Sequence, residues 1–423
     1  MENIEETTTS EKKDDVLEEI TEYKIDDTNI LGKGSFGVVY KGTQKKGNKS
    51  LPVALKEIPK EIVDDKEKIQ ALADEIYISS ILNEEEKGKN NSSIEGRENI
   101  ASFLDIAEID GKKYLAYEFC NGGDLKRYLK YFKKFDENMV QYIMRQVIRG
   151  IYHLHKRKII HHDIKPENIL IELFPDDKKD KKDKEDKEHK EDKKDKEDKE
   201  DKEHKEEIIK KVMMVTDIKN KKVYKDKSIM SDEELKEILL KSRMKVSDFG
   251  LSKFKEEGNN LVEVSGSPLY IEPNLFENNV NPLTVESEKV DIWALGVLAY
   301  ELYFYDLPFQ PFPPSIERLK KSYEKGEYVI DFKKNKKVSK QFIRFLNICL
   351  QRPQKLRPTI EELLDNEFYV IDCEYFDYLN IDNYKNAKHY PPKLKDKYLK
   401  VEGKITMSID DNRDLNAYFD DDE

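Results

Sequence analysis

His161-His162-Asp163-Ile164-Lys165-Pro166-Glu167-Asn168 is the stretch from which the rest of the chain can be read. Within eight residues it sets out a carboxylate, an ammonium and a carboxamide. Phosphoryl transfer requires an acceptor for the proton of the attacking hydroxyl, oxygen ligands for Mg²⁺, and cations on the moving phosphate. Asp163 is suited to the first task, Asn168 to the second and Lys165 to the third. Further along, Asp248-Phe249-Gly250 offers a second metal ligand in Asp248.

Upstream, Gly32-Lys33-Gly34-Ser35-Phe36-Gly37-Val38-Val39 follows a strand-like segment. Glycine lets backbone approach phosphates with no Cβ in the way. That spacing alone is weak, because a dinucleotide-binding fold would continue into a helix and then an acidic residue. Here Val38 to Gly42 reads as another strand, which points to a glycine-rich hairpin lying over a nucleotide. Val53-Ala54-Leu55-Lys56 ends the next strand, and a helix is predicted over Lys60 to Leu82. Glu75 on that helix is placed to reach back to Lys56, whose ammonium could then meet two phosphates of ATP.

The remaining organisation follows from composition. Strand character returns at Ile100–Ile109 and Lys113–Phe119, with Asp110-Gly111 as a hairpin signal between them. After Cys120 the pattern is mostly helical. Asp176 to Glu207 is almost entirely Lys, Asp and Glu, with no apolar residue. A disordered loop is the expectation there, a lone charged helix the alternative, since aspartate lowers helix propensity. Ser231-Asp-Glu-Glu234 is a capping box ahead of Leu235, Ile238 and Leu239, predicting a short helix lying on the body of the protein. The 423 residues carry a formal net charge of −12, which argues against a nucleic-acid partner. Val290 to Phe309 is the longest apolar stretch, but Asp291, Glu301 and Asp306 make it a buried helix rather than a membrane span. Three scattered cysteines give neither a disulfide framework nor a metal spacing. Met1 to Glu22 is acidic and polar, without the apolar run of a secretory leader. An intracellular protein, cytoplasmic or nuclear, is expected.

With these motifs in this order, residues Tyr23 to Val370 resemble the eukaryotic protein kinase family. The resemblance implies an α+β, bilobal fold with a small β-rich N-lobe (23–119) and a larger helical C-lobe (120–370). It implies an insertion at about 174–242, an acidic disordered tail at 1–22 and a C-terminal tail at 371–423. It implies ATP and Mg²⁺, with Asp163, Lys165, Lys56 and Glu75 catalytic and Asn168 and Asp248 on the metal. ATP would meet Leu31, Gly32, Lys33, Gly34, Ser35, Phe36, Gly37, Val39, Ala54, Lys56 and Leu170. Tyr117 would be the gatekeeper, with the backbone of Glu118 and Cys120 on adenine. Asp291 would hold the backbone of the catalytic loop. Ser267 and Lys165 match the serine/threonine type. Asp124, Glu167 and Glu301 fall where relatives grip upstream basic residues of a protein substrate, while Val264, Ser267, Pro268 and Ile271 would seat the acceptor segment. Loosely, the chain is similar to calcium/calmodulin-dependent and autophagy-initiating kinases.

Four positions depart from the family pattern. His162 replaces the arginine that grips a phosphate on the activation loop, and Glu263 stands where the phosphothreonine would be. Together these predict activity independent of loop phosphorylation. Ser79 replaces a Leu or Met of a hydrophobic spine that His161 and Phe249 continue. Glu272-Pro273-Asn274 replaces Ala-Pro-Glu, so the ion pair to Arg357 is expected to be missing. A scaffold that binds ATP without transfer is the alternative reading.

Overall fold

The structure, a computed structural model, describes residues 21–34, 37–63, 65–83, 96–174, 191–217, 219, 222–255, 266–272, 275, 288–308, 317, 321 and 338–366. They form two compact units, the α+β bilobal class expected from the sequence. Residues up to Pro59 and Leu104–Phe119 make the first unit; Lys60–Phe103 and everything from Cys120 make the second.

The first unit is one antiparallel sheet. Its strands are β1 (Thr21–Gly34), β2 (Gly37–Lys46), β3 (Lys49–Glu57), β4 (Phe103–Ile109) and β5 (Lys112–Glu118), in the order β1-β2-β3-β5-β4. Side chains alternate across a strand, so Val53 and Leu55 of β3 fall on one face with Tyr114 and Ala116 of β5, and Ala107 completes this small core. Asp110 and Gly111 both adopt positive φ, 50° and 73°, as a two-residue turn between β4 and β5 demands.

In the second unit the predicted helix of Lys60 to Leu82 divides into α1 (Lys60–Val63) and α2 (Lys66–Asn83). Next come α3 (Leu125–Phe132) and α4 (Glu137–Lys156), then the short strands β6 (Ile159–Ile160) and β7 (Ile169–Glu172). Asp136 caps α4 by accepting from the amide of Met139 at 3.0 Å, and His153, His155 and Lys156 occupy its last turn, which suits the helix dipole. α5 (Glu191–Val215), α6 (Asp232–Leu240), β8 (Arg243–Val246), β9 (Lys253–Phe254) and α7 (Glu288–Phe304) follow. β7 pairs with β8, and β6 with β9. α7 is buried on almost every side, including Trp293 and Leu295, as its largely apolar sequence requires. Among the described residues no helix is long and apolar enough to cross a membrane. The helices Lys340–Cys349 and Ile360–Leu364 close the unit.

The charged insertion corrects one expectation. Part of Asp176–Glu207 is helical rather than looped, because α5 begins at Glu191. Its C-terminal residues explain this. Val212 and Val215 are fully buried and Ile208 and Ile209 pack on the same core, so an apolar anchor holds one end of the helix. Acid–base pairs four residues apart, such as Glu207 with Lys211 at 2.8 Å, add to it. The capping box at Ser231 forms as read: Ser231 Oγ accepts from the Glu234 amide at 3.1 Å, Glu234 accepts from the Ser231 amide at 2.7 Å, and Leu235 and Leu239 are buried.

The two halves of the insertion should therefore behave differently. Replacing Asp176–Glu207 by a short Gly/Ser linker is expected to leave the thermal midpoint nearly unchanged, since loop closure costs only about 0.6 kcal/mol per doubling of length. Val212→Ala should lower stability by about 2 kcal/mol through the cavity it leaves. Thermal and urea melts of the two variants check this, and a clearly lowered midpoint or loss of cooperative unfolding in the linker variant would show that the removed residues pack.

Candidate active site

The loop between β6 and β7 is set by one carboxylate from α7. Asp291 accepts the amide of His161 at 2.9 Å and that of His162 at 3.0 Å, and His155 Nε2 lies 2.8 Å from it. Burial alone would raise this carboxyl, but the hydrogen bond and charge of His155 and the histidines of the loop outweigh it and hold Asp291 below the usual carboxylate range. The grip lets His162 sit at φ 66°, a left-handed conformation uncommon for a side-chain-bearing residue. Sequence reading assigned Asp291 but missed His155, whose only signal is its place in the basic last turn of α4.

Beyond the kink the predicted residues converge. Asp163 is 4% exposed. Lys165 Nζ donates to Asp163 Oδ2 at 2.6 Å, Asn168 Nδ2 donates to the same oxygen at 2.9 Å, and the Ser267 amide donates to Oδ1 at 2.9 Å. Desolvation pushes the Asp163 carboxyl up, yet the Lys165 hydrogen bond and charge prevail, with help from Ser267, and keep it below its ordinary value. Lys165 Nζ also donates to Ser267 Oγ at 2.7 Å. Gly266 brings that segment in: its φ is 105°, and an added Cβ would stand 2.4 Å from the His162 carbonyl oxygen. The Ser247 amide donates to the Asn168 carbonyl at 2.9 Å, which sets Asp248, at φ 64°, beside the loop. Asn168 and Asp248 offer hard oxygen donors. That fits Mg²⁺, which takes one or two protein groups and keeps waters and substrate phosphates for the rest.

His161 links this loop to the next. Its Nδ1 accepts the Asp163 amide at 3.2 Å while Nε2 donates to the Ser247 carbonyl at 3.1 Å, which sets the tautomer. Its ring meets Phe249 edge-on at 5.7 Å. Ser79 is buried on α2 and its Oγ has no hydrogen-bond partner among the described residues, so the spine is polar at that position.

In the sheet unit, register pairs Val39 with Lys56 and Ala54 with Tyr117. Directly paired residues share a face, so Val39, Ala54, Lys56 and Tyr117 form one row, opposite the face that carries the small core. Gly32 faces open space: an added Cβ would meet nothing within 4 Å, so internal packing does not require a glycine there. Leu31 and Lys33 flank it on β1, Gly34 pairs with Gly37, and Glu118 pairs with Val53. Lys56 belongs to the sheet unit, whereas Glu75, buried on α2, belongs to the larger one together with Cys120 and Leu170. Ser35, Phe36, Glu263, Val264, Ser265, Pro273 and Asn274 lie outside the described residues.

Two expectations about neighbouring charges change. The ion pair to Arg357 exists. Glu272, two residues before Asn274, accepts from Arg357 Nη1, and both side chains are fully buried. Gln354 donates to the other Glu272 oxygen, and Arg357 lies over the Trp293 ring at 4.9 Å. On the substrate side, Asp124 is not free. It caps α3 by accepting the Arg127 amide at 2.9 Å, and its carboxyl is raised by burial. Lys126, unremarked in the sequence, lies between Glu167 and Glu301. Pro268 is half-buried, and Ile271 is buried in the core cluster rather than open to a peptide.

Comparison with known proteins agrees with this geometry. The family model "Protein kinase domain" matches residues 25–182 and 201–369. Serine/threonine-protein kinase ULK1 of Homo sapiens is 23% identical over 351 residues, 83% of this chain and 26% of that protein. NUAK family SNF1-like kinase 1 of Homo sapiens is 24% identical over 306 residues, 72% of this chain and 33% of the relative. Calcium-dependent protein kinase 5 of Plasmodium berghei (strain Anka) is 24% identical over 384 residues, 91% of this chain and 50% of the relative. The chain thus spans half or less of the length of each. It belongs to the eukaryotic protein kinase family, in its serine/threonine group.

The relocated ion pair can be tested by stability alone. Glu272→Ala and Arg357→Ala should each cost about 3–5 kcal/mol, because each leaves an uncompensated buried charge. The double variant should lose less than the sum of the two, as expected for groups in direct contact. Chemical denaturation of the three variants measures the coupling; strict additivity would contradict the pairing.

Proposed function

We propose that the chain is a catalytically active kinase that transfers the γ-phosphate of ATP to serine or threonine hydroxyls of protein substrates. The observation that carries this reading is the set of hydrogen bonds on Asp163, which leaves the carboxylate ionised and fixed in direction. In this reading Asp163 orients the substrate hydroxyl and receives its proton. Lys165, already on Asp163 and Ser267, supplies positive charge beside the moving phosphate. Asn168 and Asp248 would hold Mg²⁺, which would supply positive charge to offset that of the phosphates. Lys56 is assigned to the other phosphates, and Glu75 keeps the partner role that the family resemblance implies. Leu31, Val39, Ala54 and Leu170 are assigned to the adenine faces, and the backbone of Glu118 and Cys120 to its edge. Cys120 and Cys349, buried and outside any disulfide among the described residues, support an intracellular setting.

Activity is proposed not to need a phosphate on the activation loop. Burial lowers the His162 imidazole below its ordinary value, against the opposing pull of Asp291. Its ring is then neutral near neutral pH, and it is a poor substitute for the arginine that would hold a phosphate. Selection of basic residues upstream of the acceptor was expected from Asp124, Glu167 and Glu301. Their engagement within the chain argues for a weaker preference than those carboxylates alone imply.

Two experiments test the reading. Asp163→Ala should lower turnover about 10²–10⁴-fold through loss of the proton acceptor, with ATP affinity little changed. Asp248→Ala should weaken MgATP binding as well. Near-wild-type turnover of Asp163→Ala would overturn the assignment, and ATP binding without transfer by the wild type would favour a scaffold. For regulation, phosphatase-treated protein, with Ser265 shown unmodified by mass spectrometry, should retain its transfer rate. Collapse restored by rephosphorylation would refute independence.

A further inference from the structure

Lys126, the second residue of α3, directs its ammonium onto two carboxylates. Nζ lies 2.8 Å from Glu301 Oε1 on α7 and 3.7 Å from Glu167 Oε1. The other oxygen of Glu301 accepts the hydroxyl of Tyr270. This cluster joins the catalytic loop on both sides. Glu167 lies in the same short helical turn as Asn168, and Tyr270 lies in the turn that follows Ser267, its amide donating to the Ser267 carbonyl at 2.8 Å. The Lys126 and Glu301 side chains retain only 24% and 11% of their exposure, while Glu167 retains 47% and faces solvent. A carboxylate so shielded from water attracts a cation strongly. Here the chain supplies that cation itself, from the residue two places after the α3 cap.

We propose that Lys126 is a specificity-determining residue. It stands in for the basic side chain that a substrate would otherwise bring to the Glu167–Glu301 pair, so acceptor peptides need no cation there. The proposal rests on the kinase reading above and refines its substrate class. An arginine arriving from a peptide must displace a lysine already bonded at 2.8 Å and so gains little. The charge balance also explains why Glu301 can remain buried beside a buried tyrosine hydroxyl. Burial alone would lower the Lys126 ammonium, but Glu301 ahead of Glu167 more than compensates, which keeps the cation in place. Asp124 is less available as a substitute, since one of its oxygens accepts the Arg127 amide of α3.

The test uses the full chain with MgATP and pairs of serine peptides that differ only by arginine or alanine, placed in turn at each position before the acceptor. The readout is the ratio of kcat/KM for the two members of a pair. Both are measured on one enzyme preparation, so the folded fraction cancels and a partly unstable variant remains informative. Wild type should show ratios within about threefold of one at every position, as for a weak, exposed charge contact. Lys126→Met and Lys126→Gln should each develop an arginine preference of about tenfold or more at one position, carried mainly by KM, since a charge-assisted hydrogen bond is regained. Lys126→Arg should behave as wild type. A strong arginine preference in wild type that survives in Lys126→Met overturns the proposal, as does the absence of any new preference in both variants. If wild type phosphorylates none of the peptides nor any protein substrate, the kinase reading itself falls, and this proposal with it.

Discussion

A buried carboxylate on α7 is the constraint from which the active region is built. An ionised group in the core is tolerable only when its lone pairs are filled, and Asp291 fills them with two consecutive loop amides and an imidazole from α4. That arrangement does more than satisfy a charge. Residues in sparsely populated backbone regions cost about 1–3 kcal/mol and persist only where their surroundings fix them. His162 is such a residue, and Asp291 holds the peptide on its N-terminal side. Because the chain reverses there, Asp163 emerges at a fixed angle, and Lys165, Asn168 and Ser267 can all reach it.

A second buried pair secures the segment that lies opposite. Arg357 donates to Glu272, to the carbonyl of Gln351 at 2.7 Å and to that of Lys289 at 3.0 Å, so its guanidinium is largely satisfied. The family pattern puts the acidic partner two residues later, where this chain has Asn274. What the site requires is a carboxylate at the guanidinium, not a carboxylate at a given position in the sequence. A short irregular segment can deliver one from a displaced position as long as the backbone path allows it. This is why matching residue by residue lost the interaction while the fold kept it.

The same distinction marks how far the sequence could be read. Features whose physics is local were legible: the turn at Asp110-Gly111, the Ser231 capping box, the apolar run of α7, and the spacing of Asp163, Lys165 and Asn168 within one loop. Features decided by tertiary neighbours were not. The start of α5 lies in a run of alternating charges whose many aspartates disfavour helix, and it is extended by an anchor, Val212 and Val215, outside that run. Lys126 carries no signal either, because a lysine near a helix start is ordinarily a solvated charge. Only the approach of α7 and the catalytic loop gives it two partners. Asp124, placed where relatives grip basic residues of a substrate, also caps α3, a role that its position immediately before Leu125 would have disclosed.

These contacts together account for the order in the segment Gly266–Glu272. Its first residues are tied to the catalytic loop through the Ser267 amide and hydroxyl. Its middle is tied to α7 through Tyr270 and Glu301, and its end through Glu272 and Arg357. A phosphate on an activation loop serves related kinases by adding charge that orders such a segment. Here each anchor is made by residues already in the chain, and the imidazole at the usual phosphate-binding place is driven toward neutrality by burial. His162 replaces the arginine that would have met a phosphate, while Lys126 sets a cation against Glu301 and Glu167. Within Gly266–Glu272 the anchoring contacts thus come from side chains of the chain itself.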